Sequence, residues 1–379
     1  MTGPPQPAFV HDWLVTWGGG EQVLESAVEA LGPAPIHTLV YKPEAFAASP
    51  IGRQRIIPSF LQRLPGSRRD HRRYLPLMPL AVEQFDLREY PLVFSSCHAV
   101  AHGVLLRADQ LHLSYVHSPM RYSWHLYHQY LQESGLARGL KSWIARGLLH
   151  YLRLWDFQAA QRPDHVLANS QWTAGNIWRA YRRQARVIYP PVDTDTYRPL
   201  VPRDDYYLTV SRLVPYKRIG LILEAFRGLG YPLKVVGDGP LLQAYRQSAP
   251  PNAEILGWVP KDRLVELMGR ARAFVYLAEE DFGITPVEAQ AAGCPVIAYG
   301  RGGVGETVID GKTGCLFYEQ SVEALSAAVR RFEEAPDAFR IEDVRQQAER
   351  FGRTRFADEL ADFVEKAWVA FRTSAGGPR

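Results

Sequence analysis

Short apolar runs alternate with amphipathic helical stretches along nearly the whole chain, and no other feature constrains the fold as much. Candidate strands lie at residues 9–10, 36–41, 92–95, 113–117 and 165–168. The second half repeats the pattern at 206–210, 233–236, 253–256, 273–277 and 295–298. Each run ends in Gly, Ser, Asp or Pro and leads into a helix-like segment, as at 20–31 and 219–226. Strand and helix in alternation predict parallel sheets covered on both faces, a doubly wound α/β architecture. At 379 residues the chain exceeds one ordinary core.

The double proline Pro190-Pro191 closes one strand, since neither a helix nor a central strand accepts it. The Pro-containing stretch 194–202 is therefore expected to be the linker. The division is 1–190 and 191–355, each half with enough strands for a sheet of its own. The closing segment 355–372 reads as one amphipathic helix through Phe356, Leu360, Phe363, Ala367 and Ala370. Residues 356–379, helix and flexible tail, are assigned back to the first domain.

Several classes are excluded or disfavoured. Lys and Arg number 44 against 40 Asp and Glu, a net +4, too small for a chain-wide nucleic-acid footprint. Cys97, Cys294 and Cys315 are far apart, with neither a CxxC pair nor a disulfide framework. The first residues lead into no signal-type apolar stretch, and no run of 18 uncharged apolar residues occurs. A reducing, cytoplasmic enzyme is the expectation.

In tandem open sheets ligands bind at the carboxyl ends of the strands, here in a cleft between the two domains, so the loops after strands matter most. Residues 279–288 follow one strand and open a helix. Phe282, Gly283, Ile284 and Thr285 offer backbone to a ligand, and a helix N-terminus favours an anion. Glu280 and Glu288, eight residues apart, can accept hydrogen bonds from sugar hydroxyls; favouring the helix dipole or facing water would be their ordinary roles. Ser211, Arg212, Lys217 and Arg218 follow another strand and place three cations where a phosphate could be clamped, or simply solvated. Gly237 and Gly239 form a strand-to-turn pair, and Gly18, Gly19 and Gly20 a Gly-rich turn without full GxGxxG spacing. Gly311-Lys312-Thr313 lacks the preceding glycine of a phosphate-binding P-loop and is set aside. His117 ends a strand and is a candidate ligand contact, with a core or capping role the commoner fate of a lone histidine. The remaining histidines show no metal-binding spacing.

Together these pieces resemble the retaining nucleotide-sugar glycosyltransferases of family 4, which have the two-domain GT-B fold with a C-terminal helix crossing back. Residues 274–296 resemble that family's E-x7-E signature and 211–217 its Arg/Lys phosphate motif. The resemblance runs from about Phe9 to Phe317. It implies that Arg212 and Lys217 hold the diphosphate, Glu280 the sugar ring and Glu288 the ribose. His117 would touch the sugar, Gly19 and Gly20 the phosphate or acceptor, and Gly257, Trp258 and Val259 the base. Ser211, Gly237 and residues 282–285 complete the implied donor contacts. No cofactor and no metal are implied: the departing phosphate assists the acceptor hydroxyl from the same face, and Asp193-Thr194-Asp195 lies in the linker rather than in a post-strand loop. Asp281 stands where the family commonly has Gly, and Pro190-Pro191 where it has Asn-Gly.

Residues 115–124 and 168–174 resemble the mannosyltransferase-type branch that builds bacterial surface polysaccharides and lipid-linked glycans, which makes GDP-mannose the first expectation for the donor. Seven arginines between 53 and 73 (53, 55, 63, 68, 69, 72 and 73) face a single acid, Asp70, and are interleaved with apolar residues. Such a patch can lie on an anionic membrane, hold an acceptor diphosphate, or simply be solvated. A second candidate, 136–154, carries Arg138, Lys141, Arg146 and Arg153 with Trp143, Leu148 and Leu149. The expected partners are a nucleotide sugar, a glycan or lipid-linked acceptor and an anionic membrane surface, with no nucleic acid. An epimerase or phosphorylase on the same fold, or a non-catalytic sugar-nucleotide-binding subunit, remain the alternatives.

Overall fold

A computed structural model of the chain describes residues 3–136 and 138–375. They fall into two compact units, Met1–Tyr189 with Phe356–Arg379, and Pro190–Arg355.

Unit 1 is built on β1 (Ala8–His11), β2 (Ile36–Thr38), β3 (Ile56–Pro58), β4 (Leu92–Cys97), β5 (Leu111–Val116), β6 (His165–Ala168) and β7 (Arg186–Val187). Their order is β3-β2-β1-β4-β5-β6-β7, every pairing parallel. Successive side chains of a strand point to opposite faces. Ala8 and Val10 accordingly join Met78, Leu149 and Leu152 in one apolar cluster, while Phe9 joins Leu113, Phe356 and Leu360 in the other. A sheet buried on both sides is the expected consequence of helical crossovers.

Unit 2 repeats the plan with β8 (Tyr207–Val210), β9 (Leu233–Val236), β10 (Ala253–Gly257), β11 (Ala273–Tyr276), β12 (Val296–Tyr299) and β13 (Gly314–Phe317). The order is β10-β9-β8-β11-β12-β13, again all parallel. In each unit the order reverses once, at β1/β4 and at β8/β11. Such switch points open a crevice beyond the carboxyl ends of the two flanking strands.

Three details depart from the sequence expectations. Residues 194–202 are not a free linker: Tyr197 is buried, and Leu200 N donates to Gly269 O at 3.1 Å within unit 2. Strands β3 and β13 were not expected. Both are edge strands: β3 runs among arginines, where Pro58 is tolerated, and β13 opens on a glycine directly after the Gly311-Lys312-Thr313 turn, which interrupts the apolar pattern. The closing helix runs from Arg353 to Ala375 and buries Phe356, Leu360, Val364 and Trp368, one residue every four, with Ala370 exposed. Burying side chains of this size contributes about 1.5–3 kcal/mol each, which fixes the returning helix on unit 1. The tail expected at 374–379 is helical through Ala375, and residues 376–379 lie outside the described residues.

Candidate functional site

The loop after β8 and the loop after β11 meet at the switch point of unit 2. Lys217, 9% exposed, pairs with the Glu280 carboxylate, which also accepts from the Tyr276 hydroxyl at the end of β11. The Lys217 ammonium lies 5.6 Å from the Tyr276 ring centroid and 5.4 Å from that of Tyr216. Nearby in sequence, Arg212 is exposed and its guanidinium makes no side-chain hydrogen bond or ion pair among the described residues. Arg218 closes the loop with φ +57°, a left-handed conformation that costs a residue with a Cβ energy and clusters at functional sites. The turn between Tyr276 and the next helix, Ile284–Ala291, ends at Gly283 with φ +86°, and Gly283 carries no side chain to cap the helix. Phe282 and Asp281 are buried, whereas Ile284 and Thr285 are half-buried.

Glu288 has partners of its own. It is hydrogen-bonded to the Tyr197 hydroxyl, with Lys261 and Asp193 close enough to act on its charge. Burial raises its pKa to about 7, the hydrogen bond from Tyr197 and the Lys261 charge opposing only in part. Between about pH 4.5 and 7 the folded chain therefore keeps a proton that the unfolded chain has released. Stability should fall as pH rises through that window, by up to about 3 kcal/mol. A Glu288→Gln variant is expected to flatten that part of a Tm-against-pH curve, measured by calorimetry.

Ser211, Gly237 and Gly257 also come together. Gly237 has φ +141°, and a Cβ there would lie 1.8 Å from Ser211 O; its N–H donates to Gly257 O at 2.8 Å. The glycine is thus required for two post-strand loops to cross, whatever else it touches. Val259 is half-buried, and Trp258, expected with it at a base, is 74% exposed. Gly311-Lys312-Thr313 forms the tight turn into β13, with Thr313 Oγ1 accepting from Ile309 N at 2.9 Å.

In unit 1 the Gly-rich turn and His117 are brought together. The helix Gly19–Leu31 begins at this turn, and a Cβ on Gly20 would sit 3.7 Å from His11 Cε1 and from His117 Nε2. Ser96 Oγ lies 3.1 Å from His11 Nδ1 and 2.8 Å from His117 Nε2. One hydroxyl proton can serve only one of them, so the two tautomers are set in relation to each other. Burial, with His98 and His11 beside it, pushes the His117 pKa well down and keeps the ring neutral.

Beneath this group Asp12 accepts four backbone N–H groups, from His98, Ala99, Val100 and Ala101, at 2.6–3.0 Å. Burial pushes its pKa up, but His98, His11 and those N–H groups outweigh it and hold the carboxyl below the usual range. Ser96, His98, Asp12 and Tyr276 were not singled out in the sequence. The one signal available for them was position, immediately at or beyond the carboxyl ends of β1, β4 and β11.

The seven arginines between 53 and 73 are all exposed, distributed over short turns on either side of β3, with Phe60, Leu77 and Leu80 exposed among or beside them. The second patch is arranged differently from the expectation. On the helix Leu140–Ala159, Leu149 faces the core, while Leu140, Trp143, Ile144, Tyr151, Leu154 and Phe157 are exposed. No helix among the described residues is long and apolar enough to cross a membrane, and no group of three or more His, Cys, Asp or Glu is placed to hold a metal ion.

Two families match the sequence: Glycosyltransferase Family 4 over residues 17–196 and Glycosyl transferases group 1 over 198–354. The chain belongs to the family 4 glycosyltransferases of GT-B fold. Among relatives of this family, D-rhamnosyltransferase WbpZ of Pseudomonas aeruginosa is 31% identical over 210 residues, covering 50% of this chain and 53% of that protein. The GDP-mannose-dependent alpha-(1-6)-phosphatidylinositol monomannoside mannosyltransferase of Mycolicibacterium smegmatis is 30% identical over 198 residues, covering 44% and 52%. The chain thus spans about half the length of the curated relatives it matches. Among solved structures, sucrose-phosphate synthase of Thermosynechococcus elongatus aligns with a TM-score of 0.73 at 19% identity, covering 97% of this chain and 100% of that one. HepE of Anabaena in complex with UDP-glucose gives 0.69 at 17%, covering 95% and 99%. At such identities the likeness speaks for the fold alone.

Proposed function

We propose that this glycosyltransferase moves a hexose from a nucleoside diphosphate sugar to a glycan or lipid-linked acceptor, with retention and without a metal. The observation that carries this reading is the Lys217–Glu280 pair joining the loops after β8 and β11. Departure of a nucleoside diphosphate builds negative charge, which fixed cations and an uncapped helix N-terminus stabilise with little reorganisation. Lys217 and Arg212 supply the cations and Gly283 opens the helix. Glu280, held between Lys217 and Tyr276, is oriented to accept from a sugar hydroxyl. Glu288 takes the ribose. Gly19, Gly20 and His117 of unit 1 are assigned to phosphate, acceptor or sugar by the resemblance. The departing phosphate, not a protein nucleophile, assists the acceptor hydroxyl on the same face of the sugar.

GDP-mannose is the first donor proposed, supported by the GDP-mannose-dependent relative. The acceptor side is assigned to unit 1, and its exposed basic and apolar surfaces support an acceptor presented at an anionic membrane. A thermal-shift and calorimetric screen of UDP-, GDP-, ADP- and dTDP-sugars in EDTA tests the donor assignment. Selective stabilisation by GDP-mannose over GDP-glucose is expected, and its loss in Glu288→Ala. Transfer activity should persist in EDTA. A strict Mg²⁺ requirement would contradict the metal-free reading, and indifference to every nucleotide sugar would remove the donor site.

A further inference from the structure

Beside Glu288, residues 193–197 of unit 2 build a small polar cluster. Asp193 accepts from Thr196 N at 3.2 Å and Thr196 Oγ1 at 2.7 Å, and pairs with Lys261 Nζ at 2.8 Å. Lys261 opens the helix Lys261–Arg270, just after the residues Gly257 and Val259 assigned to the base. Tyr197 is 3% exposed, with its hydroxyl hydrogen-bonded to Glu288. Its backbone is held separately. Arg345 Nη1 donates to Tyr197 O at 3.1 Å and to Ala291 O at 3.0 Å, tying this segment to the end of the helix Ile284–Ala291.

The place of Tyr197 is therefore set without its hydroxyl, and a phenylalanine would fill nearly the same space. What the hydroxyl adds is a donor for Glu288. A carboxylate offers about four acceptor sites on its two oxygens. Tyr197 takes one, which restrains the carboxylate and leaves enough for two neighbouring sugar hydroxyls. The same O–H favours the charged form of Glu288, against the burial that disfavours it.

Three helices pack against Ile284–Ala291. Lys261–Arg270 brings Lys261 and Asp262, Val304–Thr307 brings Glu306, and Ile341–Glu349 brings Arg345 and Asp343, the latter paired with Lys312 at 3.2 Å. β11 and β12 carry no Asp, Glu, Lys, Arg or His. Among the described residues, Lys261 and Asp193 are the charges near enough to act on Glu288, and they oppose each other. Tyr197 is thus the neutral neighbour that tips the balance.

We propose that Tyr197 is a positioning residue of the donor site, its hydroxyl holding the Glu288 carboxylate charged and available to the cis-diol of the donor ribose. The proposal rests on the assignment of Glu288 to the ribose.

The full chain and Tyr197→Phe are titrated by calorimetry with GDP-mannose, and with UDP-glucose as a second ribose-bearing probe, from pH 6 to 9. Wild-type affinity should fall as pH drops through about 7, because a proton on Glu288 occupies a site that a ribose hydroxyl needs. Losing one hydrogen bond to the charged form should move that fall about one pH unit higher, so Tyr197→Phe should bind about fivefold more weakly at pH 7 and almost normally at pH 9. Glu288→Gln should abolish the pH dependence, and adding Tyr197→Phe to it should change nothing further. A weakening that is equal at every pH would make Tyr197 a packing residue and overturn the proposal, as would coincident profiles. A second readout needs no nucleotide. In melts against pH, the fall in stability expected up to about pH 7 should extend about one pH unit higher in Tyr197→Phe, because the folded chain then keeps its proton longer. An unmoved melting profile would show that the hydroxyl does not act on Glu288. If the melts shift but the wild type binds neither probe, the donor reading and this role at the ribose fall together, and the hydrogen bond alone stands.

Discussion

Lys217→Ala is expected to lower kcat by about 10²–10³-fold, the range seen when one preorganised charge-stabilising group is removed from a reaction centre. Two effects act together. The departing diphosphate loses a nearly buried ammonium, and Glu280 loses the cation that holds it beside Tyr276. The carboxylate would then keep the Tyr276 hydroxyl but lose its countercharge, so its grip on a sugar hydroxyl should weaken. Lys217→Arg restores the charge but not the compact geometry, and only partial recovery is expected. Steady-state kinetics with the donor identified by the nucleotide screen, together with an unchanged Tm, would separate this from misfolding. Near-normal turnover in Lys217→Ala would remove the residue from the reaction centre.

Asp12→Ala should unfold unit 1 or leave it barely stable. Four backbone N–H groups, of His98 through Ala101, lose their shared acceptor in a site with no exposure. An unsatisfied buried group costs about 1–3 kcal/mol, and four together rival the whole stability of an ordinary domain at about 5–15 kcal/mol. Asp12→Asn keeps one acceptor oxygen and should fall between wild type and Ala. Denaturant melts followed through unit 1 tryptophans such as Trp13 would measure this. A Tm change of only a few degrees in Asp12→Ala would show that the carboxylate is not what holds the 98–101 turn.

Both predictions involve residues whose importance was unequally visible. Lys217 and Glu280 stand in loops that local patterning marks at once, after strands and before helices, in a cation-rich segment and an acid-rich one. The parallel sheets and the returning helix were legible for the same reason, since a period of two or of 3.6 is a property of neighbouring residues. Asp12 carries no such mark. Its four hydrogen-bond partners are 86 to 89 positions away, and Ser96 reaches His11 and His117 across 85 and 21.

Glu288 shows the division most clearly. Its spacing from Glu280 is written in the sequence and suggested that both carboxylates can face one cleft and accept from sugar hydroxyls. The fold adds their partners, a lysine for Glu280 and a buried tyrosine for Glu288, and burial raises the pKa of Glu288 to about 7. The outward apolar stripe on Leu140–Ala159 is similar: composition announced a basic and apolar helix, but packing chose which side meets the core. The amino-acid order thus determined the strands, the helices and the loops that bear chemistry, because these depend on contacts a few residues apart. Which charges are buried, paired or left open was decided only by the tertiary structure, because desolvation and partner choice depend on groups that the chain brings together from tens of residues away.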